Sequence, residues 1–208
     1  MTFFYIIHMK KQLIFFILVF SLLLMSIELR SGEDCQEYIT IEDLQYFLPE
    51  RWCGKKIDSL LMPETSELVK IPDSLTFEDY RIYLLPETKA ALNEMSEAAK
   101  KDSVFLIVDS GFRSKSFQKR IIKERMLSGE PYEKVINYVA PPGYSQHHTG
   151  RAVDFVPSVA LFANSETYRW LKENAAGYGF VETYGEDTTG LIPWESWHWY
   201  LEPAGDNH

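Results

Sequence analysis

Positive charge is what this sequence most lacks. Its 208 residues hold 21 Lys and Arg against 30 Asp and Glu, a formal net charge of −9. Residues 1–31 carry three basic side chains and one acidic, or +2, so the remainder stands at −11. An acidic body excludes a nucleic-acid partner and offers no general basic surface for phosphates. Cysteine is scarce too: Cys35 and Cys53 allow one intrachain disulfide at most. Neither an internal repeat nor a low-complexity tract is present. With 46% hydrophobic and 14% aromatic residues, the chain suits one domain plus an N-terminal extra. Histidine is rare, and its placement is uneven. Of five, His8 lies in the apolar N-terminus and His208 is last, which leaves His147, His148 and His198 for the body.

Long apolar runs are missing apart from residues 13–27, LIFFILVFSLLLMSI, which follow Lys10 and Lys11. A charged stretch before an apolar one is the order of a targeting segment. The run is shorter than the ~20 residues of a comfortable membrane span, no A-x-A-like site follows, and Cys35 lacks the small residues expected before a lipidated cysteine. Residues 1–32 are therefore read as a signal peptide or a membrane anchor, with Met1 and Met9 both open as starts. Membrane contact is expected only through this segment, if it is uncleaved. In an exported chain Cys35 and Cys53 can pair, a loop worth roughly 3 kcal/mol on the chain-entropy account.

Residues 33–76 are irregular, broken by Pro49, Pro63 and Pro72, and read as an N-terminal wrap on a domain spanning 77–208. Pro86 opens a helix whose stripe is Ala91, Leu92, Met95, Ala98 and Ala99. Residues 103–109 (SVFLIVD) read as a buried strand. Ser114 caps a second helix with Phe117, Ile121 and Met126 inward and Gly129 at its end, and 131–139 form a third. RAVDFV reads as a strand and 166–175 as a helix ended by Gly177. Residues 179–184 and 195–201 are strand-like across the loop 185–193. Helices followed by clustered strands predict an α+β fold, a small antiparallel sheet with helices packed around it.

The chemistry gathers at PPGYSQHHTGRAVDF (141–155) and WESWHWY (194–200). Imidazole and carboxylate are a zinc-type donor set, and three protein ligands with a free fourth position is the catalytic form of it. His147 and Asp154 are seven apart. On a helix that is two turns, ~10 Å; on a straight strand they face opposite ways. They converge only if the histidine sits on a turn folding back, for which Gly143 and Gly150 supply the freedom. Spacing alone does not choose between His147 and His148. Glu195 could act as a base beside a metal, but on an ideal strand it faces away from His198, so a twist or bulge is required.

SQHHTGRAVD matches S-x-H-x-x-G-x-A-x-D, ESWH matches E-x-W-H, and SGFRSKSFQ stands upstream at 110–118. With these three ordered motifs the chain resembles the zinc D-alanyl-D-alanine carboxypeptidases of the VanY type, related to D-Ala-D-Ala dipeptidases and hedgehog-like metallopeptidases. The resemblance implies that fold and one catalytic Zn2+ held by His147, Asp154 and His198, with His148 a neighbour. It implies Glu195 as general base and Arg113 on the substrate's carbonyl or carboxylate. Gln118, Ser145 and Ser110 are the further substrate-binding candidates. Arg113 also stands just before a helix N-terminus, where an anion is favoured, and its guanidinium can grip a carboxylate in two places.

The expected substrate is a peptidoglycan stem peptide ending in D-Ala-D-Ala, met in the bacterial cell envelope. Nothing in the sequence fixes an oligomeric state, and a monomer is the working assumption. The alternatives are an endopeptidase, a dipeptidase, or a non-catalytic zinc-containing wall-binding module, against which a retained Glu195 argues. One departure bears on substrate preference: family members read E-P-W-H, an aromatic, then Arg-Tyr, whereas this chain has Ser196, Tyr200 and Leu201.

Overall fold

Pro86 and the charges around it explain the first long element. Its ring presets the first helical turn, Glu87 lies in that turn, and Lys100 and Lys101 lie in the last, each complementing the helix dipole. In the computed structural model this helix, α1, spans Pro86–Lys101. Leu92, Met95 and Ala99 are fully buried, with Ala91 and Ala98 packed beside them. The structure describes residues 36–186 and 192–203. The expected targeting segment 1–32, Cys35, and residues 187–191 of the expected loop lie outside the described residues. Cys53 is disulfide-bonded.

The body from Glu37 onward forms one compact unit. It begins with a hairpin of β1 (Tyr38–Ile41) and β2 (Leu44–Phe47), followed by single-turn helices. This region ties to later elements through the buried Trp52, whose indole N–H donates to the Ile136 carbonyl at 2.9 Å. Ile57 N–H also donates to the Gly143 carbonyl at 2.8 Å. Two short strands, β3 (Val69–Lys70) and β4 (Tyr83–Leu84), pair antiparallel and lead into α1.

The central sheet holds β5 (Val108–Ser110), β6 (Ala152–Phe155), β7 (Phe180–Glu182) and β8 (His198–Leu201). Their order is β5-β6-β8-β7, and every neighbouring pair is antiparallel. The remaining helices are α2 (Lys115–Leu127), α3 (Tyr132–Tyr138) and α4 (Glu166–Asn174); α1 and α4 share the sheet's apolar core, and α2 packs with α3. The α+β architecture is therefore the one expected. All four residues of β6 are buried, but for two reasons. Val153 and Phe155 join Leu92, Met95, Leu171 and Phe180 in the apolar core, and the strand's alternation sends Asp154 to the other face.

Three local expectations are corrected. The strand expected from Ser103 begins only at Val108. Ser103 turns at φ +63°, and Val104 N–H returns to the Ala99 carbonyl at 2.9 Å. Within the run only Leu106 and Val108 are buried, while Phe105 stands 66% exposed, and ladder pairing starts where β6 lies opposite. In α2, Ser114 caps as expected, accepting from Phe117 N–H at 3.1 Å. The inward residues, however, are Gln118 and Ile122. Phe117 is exposed, its ring under the Arg120 guanidinium at 4.6 Å, while Ile121 and Met126 are half-buried. Past α4 the left-handed residue is Gly179, φ +80°, rather than Gly177.

Candidate metal centre

The turn that spacing demanded is present. Residues Gln146–Thr149 form a single 3-10 turn closed by Gly150 at φ +68°, a backbone position that favours glycine. The turn lies against residues 111–113, and three hydrogen bonds join the two. His147 Nδ1 meets the Gly111 carbonyl at 2.7 Å, Arg113 N–H donates to the His147 carbonyl at 3.1 Å, and His148 Nδ1 meets the Arg113 carbonyl at 2.6 Å. On its other side Gly111 packs against residues 82–84, where a Cβ would stand 2.7 Å from Ile82 Cγ2 and 2.9 Å from the Tyr83 carbonyl.

Those partners decide the tautomers. A carbonyl only accepts, so the proton of neutral His147 is on Nδ1 and Nε2 is free. In His148 the Gly143 N–H donates to Nε2 at 2.9 Å, so Nδ1–H donates to Arg113. Both ring nitrogens of His148 are thus engaged with backbone. The two adjacent histidines have parted: one faces the site, the other braces the turn.

The sheet register supplies the rest. Asp154 on β6 lies directly opposite His198 on β8, a cross-strand pair with Cβ atoms about 5 Å apart. Asp154 Oδ1 is 2.9 Å from His198 Nδ1, and its Oδ2 is 3.1 Å from His147 Nε2. All three residues are buried, and one ligand atom from each lies within 4.8 Å of the others. Tetrahedral Zn2+ with bonds near 2.0–2.1 Å sets its ligand atoms about 3.3 Å apart, so the donor set fits. The chemistry fits as well. Burial, with the Arg113 charge adding to it, holds His147 down to about 4. Burial alone would raise Asp154, but His147 and Arg113 outweigh it and keep this carboxyl well below its ordinary range. His147 Nε2 and Asp154 Oδ2 thus meet at 3.1 Å in a buried place, a contact that a cation shared by both would take over.

Glu195 is not on a strand. β8 starts at His198, and 195–197 are a turn in which His198 N–H donates to the Glu195 carbonyl at 2.9 Å. That turn removes the facing-apart problem and no bulge is needed. Burial lifts the Glu195 carboxyl to about 7, with Asp154 adding to the rise and His198 and Arg113 opposing it. Its N–H donates to the Tyr184 carbonyl at 3.0 Å. The preceding Trp194 donates its indole N–H at 2.7 Å to Glu182, which also accepts from Lys172 at 2.8 Å and Tyr168 at 3.1 Å. The segment carrying Glu195 is thereby fastened to β7.

One cleft brings together Arg113, Gln118, Ser145, the three donors and Glu195. Arg113 stands on its wall, with Nε donating to Ser110 Oγ at 2.8 Å and a terminal nitrogen paired with Asp154. Ser110 holds the Arg113 guanidinium in place through that bond. Gln118 is 1% exposed; its amide donates to the Ala140 carbonyl at 2.9 Å, and its Oε1 is buried with no partner. Tyr184 and Gln146 are among the lining residues that sequence reasoning missed. Tyr184 lays its ring 5.0 Å from that of His198, and burial, Glu195 and Asp154 push its hydroxyl up, so it stays protonated. Gln146 Oε1 is 2.9 Å from His198 Nε2; it occupies a variable position of the motif, which gave no signal. At the departure site, Ser196 is buried with no partner for its hydroxyl, and its carbonyl accepts from the Trp199 indole at 3.0 Å.

Comparison with known proteins agrees with the motifs. A family profile described as VanY, D-alanyl-D-alanine carboxypeptidase, matches residues 81–204. A Bacillus subtilis protein named as a carboxypeptidase, YodJ, is 32% identical over 187 residues, covering 85% of this chain. The chain spans 63% of that relative's length, less than two thirds. Among solved structures, the LD-carboxypeptidase LdcB aligns with TM-score 0.61 and 28% identity, over 79% of this chain and 84% of that one. A mutant of the vancomycin-resistance D,D-pentapeptidase VanY in complex with Zn(II) aligns with TM-score 0.50 and 27% identity, over 64% of this chain and 82% of that one.

Proposed function

The chain belongs to the VanY family of D-alanyl-D-alanine carboxypeptidases, and from that premise we propose that it is an exported zinc carboxypeptidase. Its substrate would be a peptidoglycan stem peptide, from which it releases the terminal D-alanine. The observation that carries this reading is the meeting of a buried His147/Asp154/His198 donor set with a raised-pKa carboxyl, Glu195, in one cleft. Bound there, Zn2+ would supply a Lewis acid for the scissile carbonyl and lower the pKa of water.

The chain's own groups account for the remaining steps. Glu195 accepts a proton from the attacking water and delivers it to the departing amine nitrogen. Arg113, pre-oriented by Ser110, offers its guanidinium to the substrate carboxylate or to the developing oxyanion. The unpartnered Gln118 Oε1 can accept a substrate N–H, and Ser145 lines the same wall. Export and a cell-envelope location rest on residues 1–32, and the membrane would be touched only there.

A second reading comes from the LD-carboxypeptidase LdcB, which gives the higher TM-score of the two aligned structures. In that case the bond cut would join an L residue to one terminal D-alanine. The absence of the family arginine after WHW, replaced by Tyr200, is the local difference on which such a preference could turn. Product analysis on paired substrates separates the two. Release of D-alanine from a pentapeptide stem, with the tetrapeptide left intact, is the expected result. Turnover of the tetrapeptide alone would shift the assignment to the LD activity, and split cross-linked dimers would replace it with an endopeptidase.

A further inference from the structure

His198 presents two nitrogens to two different partners, and the choice between them is chemical. Nδ1 faces Asp154 Oδ1 at 2.9 Å, on the side where His147 Nε2 also lies. Nε2 faces away, toward Gln146 Oε1 at 2.9 Å. A neutral imidazole carries one N–H. If that proton sat on Nδ1 it would bond Asp154, and no lone pair of His198 would point at the shared position.

We propose that Gln146 is a positioning residue whose side-chain carbonyl accepts Nε2–H of His198 and so leaves Nδ1 unprotonated for the metal. The inference rests on the metal reading above. It gives the two histidines the same arrangement in opposite senses. His147 offers Nε2 because Gly111's carbonyl takes the proton on Nδ1, and His198 offers Nδ1 because Gln146 takes the proton on Nε2. Partners of this kind fix ring orientation and raise ligand basicity, and their loss costs roughly 10–100-fold in metal affinity. Gln146 is next to His147 on the same 3-10 turn. The element that delivers one ligand therefore also sets the protonation of the other, across 52 residues of chain.

Zinc affinity of the full chain, measured by competition with a chromophoric chelator, tests this. Gln146→Ala is expected to weaken zinc roughly 10–100-fold. Gln146→Glu keeps an acceptor at the same place and is expected to restore wild-type affinity. Gln146→Lys, a donor only, is expected to do no better than Ala. In the zinc-loaded protein, the Nε2–H proton of His198 should be protected from solvent exchange in the wild type and in Gln146→Glu, and should exchange freely in Gln146→Ala, a signature that loss of packing alone would not produce. Wild-type affinity in Gln146→Ala, or a Glu variant as weak as Ala, would overturn the proposal. His147→Ala in the same assay reports on the metal reading separately. If it loses zinc while Gln146→Ala does not, the site stands and the role of Gln146 falls; if the wild type takes up no zinc, both fall.

Discussion

Glu195→Gln is expected to lower kcat on a pentapeptide stem roughly 10²–10⁴-fold, the range of a general base, while zinc content stays at the wild-type level. The amide is nearly isosteric, and Glu195 lies outside the donor set. The loss should fall on kcat rather than KM, because the proton transfer belongs to the transition state. The pH profile carries a second signature. The carboxyl must be ionised to accept a proton, and burial has raised it to about 7. Activity should therefore be present above that pKa and lost as pH falls through it. A cation held beside it adds positive charge and moves this acid limb to lower pH. The residual activity of Glu195→Gln should show no such limb. Unchanged turnover in the variant would remove Glu195 from the mechanism.

The second large effect separates neighbours. His147→Ala is expected to lose stoichiometric zinc and with it the activity, because the remaining buried pair offers two ligands where three are needed. His148→Ala is expected to keep zinc and to be less stable instead. Its ring accepts from Gly143 N–H and donates to the Arg113 carbonyl in a nearly closed environment. Truncation leaves those two backbone groups without partners, at a cost of about 1–3 kcal/mol per buried group. Metal analysis beside urea denaturation of both variants checks the contrast, and the opposite pattern would mean that the assignment is displaced by one residue.

The contrast also shows what the sequence could convey. That a histidine seven residues before Asp154 must lie on a turn followed from helix and strand geometry, and the 3-10 turn closed by Gly150 is that solution. The choice of His147 came from the resemblance and not from spacing; in the structure the partners of each ring separate the two. Helix α1 was legible from its first residue because propensity, Pro86 and a five-residue apolar stripe all agree. Residues 103–109 were legible as apolar, but only Leu106 and Val108 are buried and Phe105 is 66% exposed, and ladder pairing depends on where β6 lies. Phe117 misled for a related reason. It is the largest apolar side chain of its helix, but its ring lies under Arg120, and the inward place goes to Gln118, a polar residue that no hydrophobic pattern can select. Glu195 was identified by residue type and misplaced by element, because a strand pattern carries no mark of where the chain leaves the sheet.

The central claim is that this cleft cleaves a peptide by means of a metal held by His147, Asp154 and His198. Its most direct test is D-alanine release from a pentapeptide stem by the full chain, with metal content measured on the same sample before chelation, after chelation and after zinc is returned. The account predicts close to one zinc per chain, loss of D-alanine release when it is removed, and recovery on reloading in the wild type but not in His147→Ala. Release that persists after the metal is gone, or a His147→Ala chain that still binds zinc and turns over, would contradict it.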